Sequence, residues 1–239
     1  MIKLLIIPLL FFQVNLTTTI FNPTLTFNQK VAIMKTIYAH ADQLRAALLT
    51  SAVKDIRYYL NTVLVEASGN YTRIVSTDGH RMSVMGNANE NSINQNELLS
   101  FMVPTNIVKL INSKVKMVIF TFNEETNIWT MKSNSISVNF KPGEGKYPDW
   151  RRVLRTKNLD LENAKPVHFN PEYLMDFVKQ AKILGCHKNN LCPFIDTIND
   201  TESGRITFQG LANYVAICMP VRVIRNGEKL QEIDPMLTT

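Results

Sequence analysis

The chain has 239 residues and a mass of 27.3 kDa, enough for one or two domains with a substantial core. Hydrophobic residues make up 45% and charged residues 19%, a globular balance that excludes a largely disordered chain. The formal charge of +6 favours polyanionic partners without naming one. Cys186, Cys192 and Cys218 show no metal-binding spacing, so we expect free thiols in a reducing cytosol and neither metal nor cofactor.

The first 33 residues differ from the rest of the chain. Lys3 precedes an apolar run, Leu4 to Phe12, and a Thr/Asn-rich stretch follows, as in a signal peptide. The run is shorter than the ~20 residues that a membrane span needs, and no small-x-small cleavage site follows it. We expect the fold to start at Met34, with residues 1–33 an appendage explained by an upstream start-codon assignment; a secretory signal is the alternative.

From Met34 onward the sequence predicts two βαβββ units with a period of ~60 residues. Unit one is predicted to contain strand 34–39, a helix near 41–52, and strands 58–67, 71–76 and 81–85. Unit two is predicted to contain strand 101–103, a helix entered at Pro104, and strands 115–122, 127–132 and 135–141. The second helix is expected to bury Ile107, Leu110 and Ile111.

A linker, Arg155–Lys165, leads to a third unit. Unit three is predicted to contain strand 166–169, a helix capped by Asn170 and starting at Pro171, and strands 191–198, 204–209 and 213–224. The helix is expected to bury Leu174, Phe177, Val178 and Ala181.

Each unit is too small to bury its own sheet face and helix, so two units are expected to share one core. The predicted fold class is α+β, with repeated βαβββ units whose helices lie on one face of antiparallel sheets. The expected domains are 34–154, with two units, and 155–239, a half-domain with a C-terminal tail. Unit three then lacks a partner half, and we expect it either to pack on units one and two or to meet its counterpart from another chain.

Four segments share the pattern of a known family. They are Arg57-Tyr58-Tyr59, the turn Thr77-Asp78-Gly79-His80-Arg81, the run Lys146–Leu154 (KYPDWRRVL) and Ile217–Val223 (ICMPVRV). Together they resemble the bacterial β sliding clamp family, the DNA polymerase III beta subunit. Units one and two resemble the middle domain of a clamp, and unit three resembles the second half of its last domain through the helix start at Phe169-Asn170 and the Met219–Val223 segment. The tail Ile224–Thr239 runs past the family's usual end.

The resemblance implies a DNA-clamp-like fold and a non-catalytic, cytoplasmic processivity factor for DNA replication. Its expected partners are double-stranded DNA, held without sequence preference, and DNA polymerase, clamp-loader or repair proteins that dock through short apolar motifs. A homo-oligomer is expected, and no membrane. Two alternatives remain: a half-clamp that binds the same peptides as a replisome regulator, and a secreted or envelope-attached binding protein.

The resemblance also implies a peptide-binding pocket. Its lining, carried over position by position, is Leu60, Thr77, Gly79, His80, Arg81, Met82, Pro148, Arg152, Val153, Ile217, Met219, Pro220, Val221, Arg222 and Val223. An apolar groove with methionines suits varied apolar side chains, and arginines at its rim offer hydrogen-bond donors.

The residues expected to contact DNA are basic or aromatic: Arg57, Tyr58, Tyr59, Arg45, Lys109, Lys114, Lys179 and Lys182. Arginine and lysine can neutralise phosphates, and tyrosine can stack on sugars or bases. An edge strand with half-buried tyrosines, and ordinary solvated helix faces, are the structural alternatives.

Asp78 and His80 could suggest a catalytic dyad, but no nucleophile lies at a telling spacing, and Asp-Gly accounts for the turn. Gly143 and Gly145 precede Lys146 without the spacing of a phosphate-binding loop. We therefore predict no catalytic residues.

Overall fold

A computed structural model describes residues 34–134, 136–154, 167–197 and 202–221. All of these residues belong to one compact unit, Ala32–Thr239. The appendage 1–33 and the linker 155–165 lie outside the described residues, so the expected domain boundaries stay predictions. In the described ranges, no helix has the length and apolar character that a membrane crossing requires.

Unit one follows the predicted order with a shorter helix. It contains β1 (Lys35–His40), α1 (Ala41–Ala47), β2 (Thr62–Ser68), β3 (Tyr71–Thr77) and β4 (Arg81–Ala88). The helix ends five residues early because the next amides bond three residues back, Leu49 N to Ala46 O at 3.0 Å and Thr50 N to Ala47 O at 3.2 Å. A 3₁₀ turn, Tyr58–Asn61, replaces the predicted beginning of the next strand.

Unit two also keeps the predicted order, with a helix of one turn. It contains β5 (Leu99–Pro104), α2 (Thr105–Val108), β6 (Met117–Asn123), β7 (Ile128–Ser133) and β8 (Ile136–Phe140). The expectation that Leu110 faces inward is wrong, because α2 ends before it and its side chain is 45% exposed. Ile111 is buried and Ile107 is partly buried, as expected, and Val108, which was not among the expected residues, is also buried.

Unit three contains α3 (Pro171–Ile183), β9 (Pro193–Asp196), β10 (Gly204–Phe208) and β11 (Tyr214–Cys218). The predicted helix start is confirmed, since Asn170 Oδ1 accepts a hydrogen bond from Glu172 N at 2.9 Å. The predicted strand 166–169 is not observed over Val167–Phe169, where no described strand lies alongside to form a ladder.

The strands form two antiparallel sheets, in the orders β1-β6-β7-β8 and β5-β2-β3-β4-β11-β10-β9. Units one and two exchange their first strands, because β1 pairs with β6 of unit two and β5 pairs with β2 of unit one. The side chains between the two sheets form one core, in which Ile37, Val63 and Phe120 are fully buried. The shared core and the α+β class are therefore confirmed.

Unit three joins unit one through both a sheet and a helix contact. β11 pairs with β4 in the register Ile217↔Met82, and α3 packs against α1. Phe177 and Ala181 of α3 are completely buried, whereas Leu174 and Val178 are partly buried. Of the two arrangements expected for the apolar helix face, packing against unit one is the one observed.

A buried polar network crosses this junction. Gln180 of α3 is fully buried, and its Nε2 donates to Ala46 O at 2.9 Å and to Thr50 Oγ1 and Ser83 Oγ, each at 3.1 Å. Its Oε1 accepts a hydrogen bond from the Tyr214 hydroxyl at 2.8 Å. Because Gln180 of α3 binds residues in α1, in the turn after it, in β4 and in β11, the network fixes unit three on unit one.

Candidate functional site

An apolar cavity of about 190 Å³ lies where the turn after β3, the segment around Trp150 and the end of β11 meet. Its lining residues are Arg57, Tyr59, Leu60, Thr77, Gly79, His80, Arg81, Met82, Pro148, Trp150, Val153, Ile217 and Met219. Leu60, Met82 and Ile217 are at most 5% exposed and form an apolar floor, whereas Val153 and Met219 are exposed at the rim. A buried apolar floor with an exposed methionine at the rim suits an apolar ligand.

The turn after β3 holds one wall of the cavity. The Asp78 carboxylate accepts hydrogen bonds from the amides of His80, at 2.9 Å, and Arg81, at 3.0 Å. Gly79 has φ +94°, and a Cβ there would lie 3.1 Å from Nη1 of Arg57, so glycine suits both the backbone and the space. The carboxylate of Asp78 is thus bound by the turn itself, which supports a structural role.

Arg81 connects this turn to unit three. Its Nε donates to Asp78 Oδ2 at 2.9 Å, its Nη1 donates to Asp176 Oδ2 at 2.7 Å, and its guanidinium lies 4.3 Å from the ring centroid of Tyr173. Burial raises the pKa of Asp176, but the hydrogen bonds from Lys179 and Arg81 outweigh it and leave the pKa below its ordinary value. The ionised pair holds α3 against the cavity wall.

Trp150 is held in place by a buried carboxylate, that of Glu66. Glu66 accepts hydrogen bonds from Trp150 Nε1 at 3.2 Å, from Arg151 Nη2 at 2.7 Å and from Arg73 Nη1 at 3.1 Å. Burial raises the pKa of Glu66, but these hydrogen bonds leave it below its ordinary value. Arg151 also lies 4.2 Å from the centroid of the Trp150 ring.

The third wall follows from the sheet pairing. After β11, Met219 N donates to His80 O at 2.8 Å, which holds the chain beside the turn as it leaves the sheet. Met219 is 42% exposed, so its side chain is accessible to a ligand. Residues far apart in sequence therefore reach one cavity because β4 and β11 are neighbours.

The structure brings most of the predicted pocket residues together. Arg152, Pro220 and Val221 are described but do not line the cavity, and Arg222 and Val223 lie outside the described residues. Sequence reasoning missed Trp150, although it stands within the quoted KYPDWRRVL run, and it assigned Arg57 and Tyr59 to DNA alone.

A larger cavity, of about 560 Å³, lies between the segment 142–151 and strands β2 and β5. Of the quoted motifs, only the run Lys146–Leu154 contributes residues to the lining of this larger cavity. The turn after β3 and strand β11 contribute none. The smaller cavity therefore fits the sequence pattern better, despite its size.

Several of the predicted DNA-contacting groups are held by protein partners. Arg57 donates from Nε and Nη2 to the two carboxylate oxygens of Asp55, at 3.0 and 2.8 Å. These hydrogen bonds from Arg57 lower the pKa of Asp55 to about 2. Arg45 donates from Nη1 to the carbonyl oxygens of Asn112 and Val115, at 3.0 and 3.2 Å. Lys179 pairs with Asp176 at 2.8 Å. These side chains stabilise local structure as well as contributing charge.

The other predicted DNA-contacting groups are open to solvent. Tyr58 is 74% exposed, and Lys109, Lys114 and Lys182 are also exposed, whereas Tyr59 is half-buried beside the apolar cavity. Tyr58 and Lys109 line a cavity of about 500 Å³ together with Lys54. Lys54, with φ +58°, belongs to this surface and was not among the predicted residues.

Among the described residues, no group of three or more His, Cys, Asp or Glu side chains is arranged to hold a metal ion.

Residues 39–149 match the family model of the DNA polymerase III beta subunit, central domain. Over these residues the chain is similar to the β sliding clamp family. It is 30% identical over 139 residues to the beta sliding clamp of Buchnera aphidicola subsp. Rhopalosiphum padi, covering 56% of this chain and 35% of the relative. It is 34% identical over 141 residues to the beta sliding clamp of Vibrio cholerae, and this alignment covers 57% of this chain and 36% of the relative. The chain thus spans about a third of the length of these curated relatives.

A solved DNA polymerase sliding clamp from Pseudomonas aeruginosa has a TM-score of 0.60 and 18% identity to this chain. The alignment covers 79% of this chain and 66% of the Pseudomonas chain. At this identity the likeness establishes the fold, and it extends the clamp architecture beyond the central domain to most of the chain.

Proposed function

We propose that this clamp-like chain is a DNA replication processivity factor that tethers DNA polymerase III or other clamp-binding proteins to DNA. The observation that carries the proposal is the apolar cavity built from three separate segments, whose floor is Leu60, Met82 and Ile217. Its relatives are named as sliding clamps, which favours this function over a regulator or a secreted binding protein.

The cavity would take one or two apolar side chains of an extended peptide. Met82 and Met219 have flexible, polarisable side chains, so they can adapt to different ligand shapes. Arg57 lies at the same cavity and offers hydrogen-bond donors to a peptide backbone or acidic side chain. Such a site accepts a class of short apolar motifs rather than one sequence.

DNA would be held by exposed cations and an exposed ring, without recognition of base sequence. Tyr58, Lys54 and Lys109 share one cavity, which places a stacking surface beside two positive charges. Lys114 and Lys182 add exposed charge. Contacts of this kind neutralise phosphates and release counterions, so binding would weaken as salt is added.

The proposal includes a non-catalytic role and a cytoplasmic location. Both rest on similarity to proteins named as sliding clamps. The non-catalytic role is also supported by the Asp78 carboxylate, which the amides of its own turn already bind.

The pocket is tested with a fluorescein-labelled peptide that carries a clamp-binding apolar motif. Met219→Glu places a charge at the rim of the apolar cavity and should weaken binding by about 1–3 kcal/mol, a factor of roughly 5–150. Val221→Glu is the matched control, because Val221 is similarly exposed, lies two residues away and does not line the cavity. Fluorescence anisotropy gives the affinity. Equal affinities for both variants and the unaltered chain, with circular dichroism unchanged, would remove the pocket assignment.

A further inference from the structure

The chain leaves the described fold at the rim of the apolar cavity. Met219 lines the cavity, and Val221, two residues later, is the last described residue. Met219 N donates to His80 O at 2.8 Å and Val221 N donates to His168 O at 2.7 Å, so this part of the backbone is fixed beside the cavity. Two residues span at most about 7 Å, so the residues after Val221 begin within about 7 Å of the Met219 backbone.

The C-terminal segment, residues 222–239, carries an apolar pair of the kind that such a cavity takes. The segment lies outside the described residues, and its sequence is RVIRNGEKLQEIDPMLTT. Met236 and Leu237 are adjacent apolar side chains directly after Pro235. Proline fixes its own φ and disfavours helical backbone at the residue before it, which lowers the conformational entropy that an extended ligand loses on binding.

The charges on the C-terminal segment and at the cavity are complementary. From residue 230 onward, Glu232 and Asp234 are the only charged side chains. Arg57 lines the cavity and has 46% of its side chain exposed. Its Nε and Nη2 donate to Asp55, whereas its Nη1 makes no hydrogen bond to the residues that the structure describes. One guanidinium nitrogen is therefore available to an acidic side chain that arrives beside the apolar pair.

We propose that Met236 and Leu237 occupy the apolar cavity of their own chain and compete there with partner peptides. The inference rests on the proposed peptide-binding function and adds a regulation of the same site. About 15 residues separate Val221 from Met236, and a spacer of that length spans up to roughly 50 Å when extended. It is therefore long enough to turn back to a cavity that lies beside its own first residue.

Attachment to the same chain makes even a weak contact effective. A ligand on a short linker acts at an effective concentration of about 1 mM. With a Kd of about 100 µM, the C-terminal segment would fill about nine cavities in ten and weaken the binding of a separate peptide about tenfold. The contact thus raises the affinity that a partner needs, which favours partners with stronger motifs.

Fluorescence anisotropy with the labelled clamp-motif peptide tests the competition on the full chain. Met236→Ser with Leu237→Ser removes the apolar pair and should tighten peptide binding about tenfold. Thr238→Ser with Thr239→Ser is the matched control, because it changes the next two residues and keeps the pair, and it should leave the affinity unchanged. Equal affinities for all three chains overturn the inference. A difference that grows with protein concentration also overturns it, because the segment would then occupy the cavity of another copy.

A labelled peptide of residues 230–239 tests the site of the contact. It should bind the Met236→Ser, Leu237→Ser chain with a Kd of about 100 µM, and about tenfold more weakly when that chain also carries Met219→Glu. Absence of binding, or binding that Met219→Glu leaves unchanged, overturns the inference. In that case the proposed function still stands if the clamp-motif peptide binds in a manner that depends on Met219. Binding of the 230–239 peptide without binding of the clamp-motif peptide supports the contact and counts against the proposed function alone.

Discussion

The buried amide of Gln180 allows a quantitative test of the junction between units one and three. Replacing Gln180 with leucine keeps the size of the side chain but removes the acceptor of the Tyr214 hydroxyl. The other partners keep alternatives, since Thr50 Oγ1 lies 2.7 Å from Ser83 Oγ and Ala46 O accepts from the Leu49 amide. One buried donor is therefore stranded, and the variant should lose about 1–3 kcal/mol of unfolding free energy.

The double variant separates the stranded group from the lost contact. Tyr214→Phe alone leaves the Oε1 of Gln180 without its hydroxyl donor, so it should also cost about 1–3 kcal/mol. Gln180→Leu with Tyr214→Phe removes both polar groups, so its cost should be smaller than the sum by about 0.5–3 kcal/mol. Both side chains are almost completely buried, and water cannot easily replace the missing partner.

Urea denaturation followed by circular dichroism measures these free energies. Gln209→Leu serves as the control, because Gln209 is exposed and its replacement should change stability by no more than about 0.5 kcal/mol. Strict additivity of the two buried substitutions would refute the coupling between Gln180 and Tyr214. Loss of cooperativity only in the buried variants would show that the network holds unit three to the rest of the fold.

Two further predictions concern charge. Lys109→Gln and Lys182→Gln should each reduce the slope of log affinity against log salt concentration, measured with a DNA duplex of random sequence, by about one. Lys132→Gln, an exposed control on β7, should leave that slope unchanged. An affinity for DNA that does not change with salt would contradict the proposed contacts. Glu66 has a folded pKa below its ordinary 4.5, so its stabilisation is present above pH 4.5 and lost as the pH falls through the folded pKa. Glu66→Gln should thus lower the free energy of unfolding at neutral pH and make that free energy fall less as the pH is lowered. Urea titrations at several pH values measure this, with the exposed Glu90→Gln as the control. The same pH dependence of stability in Glu66→Gln and the unaltered chain would contradict the prediction.

The elements that sequence alone predicted well are governed by neighbouring residues. Asn170 and Pro171 define the start of α3 because the cap and the fixed proline φ act within one turn. Strand alternation located β3 and β7 to within a residue or two, and the turn with Gly79 followed from a backbone that glycine tolerates. The quoted motifs also predicted most of the cavity.

The remaining features depend on which distant segments meet. The pairing of β4 with β11 brings Met219 to His80 and closes the cavity, and the partners of Gln180 lie up to 134 residues away in the chain. Leu110 is exposed because its short helix ends before it, and Val167–Phe169 form no strand because strands need a partner. Local preferences are set by residues a few positions apart, whereas burial, ladder pairing and buried hydrogen bonds are fixed only when remote parts of the chain pack together.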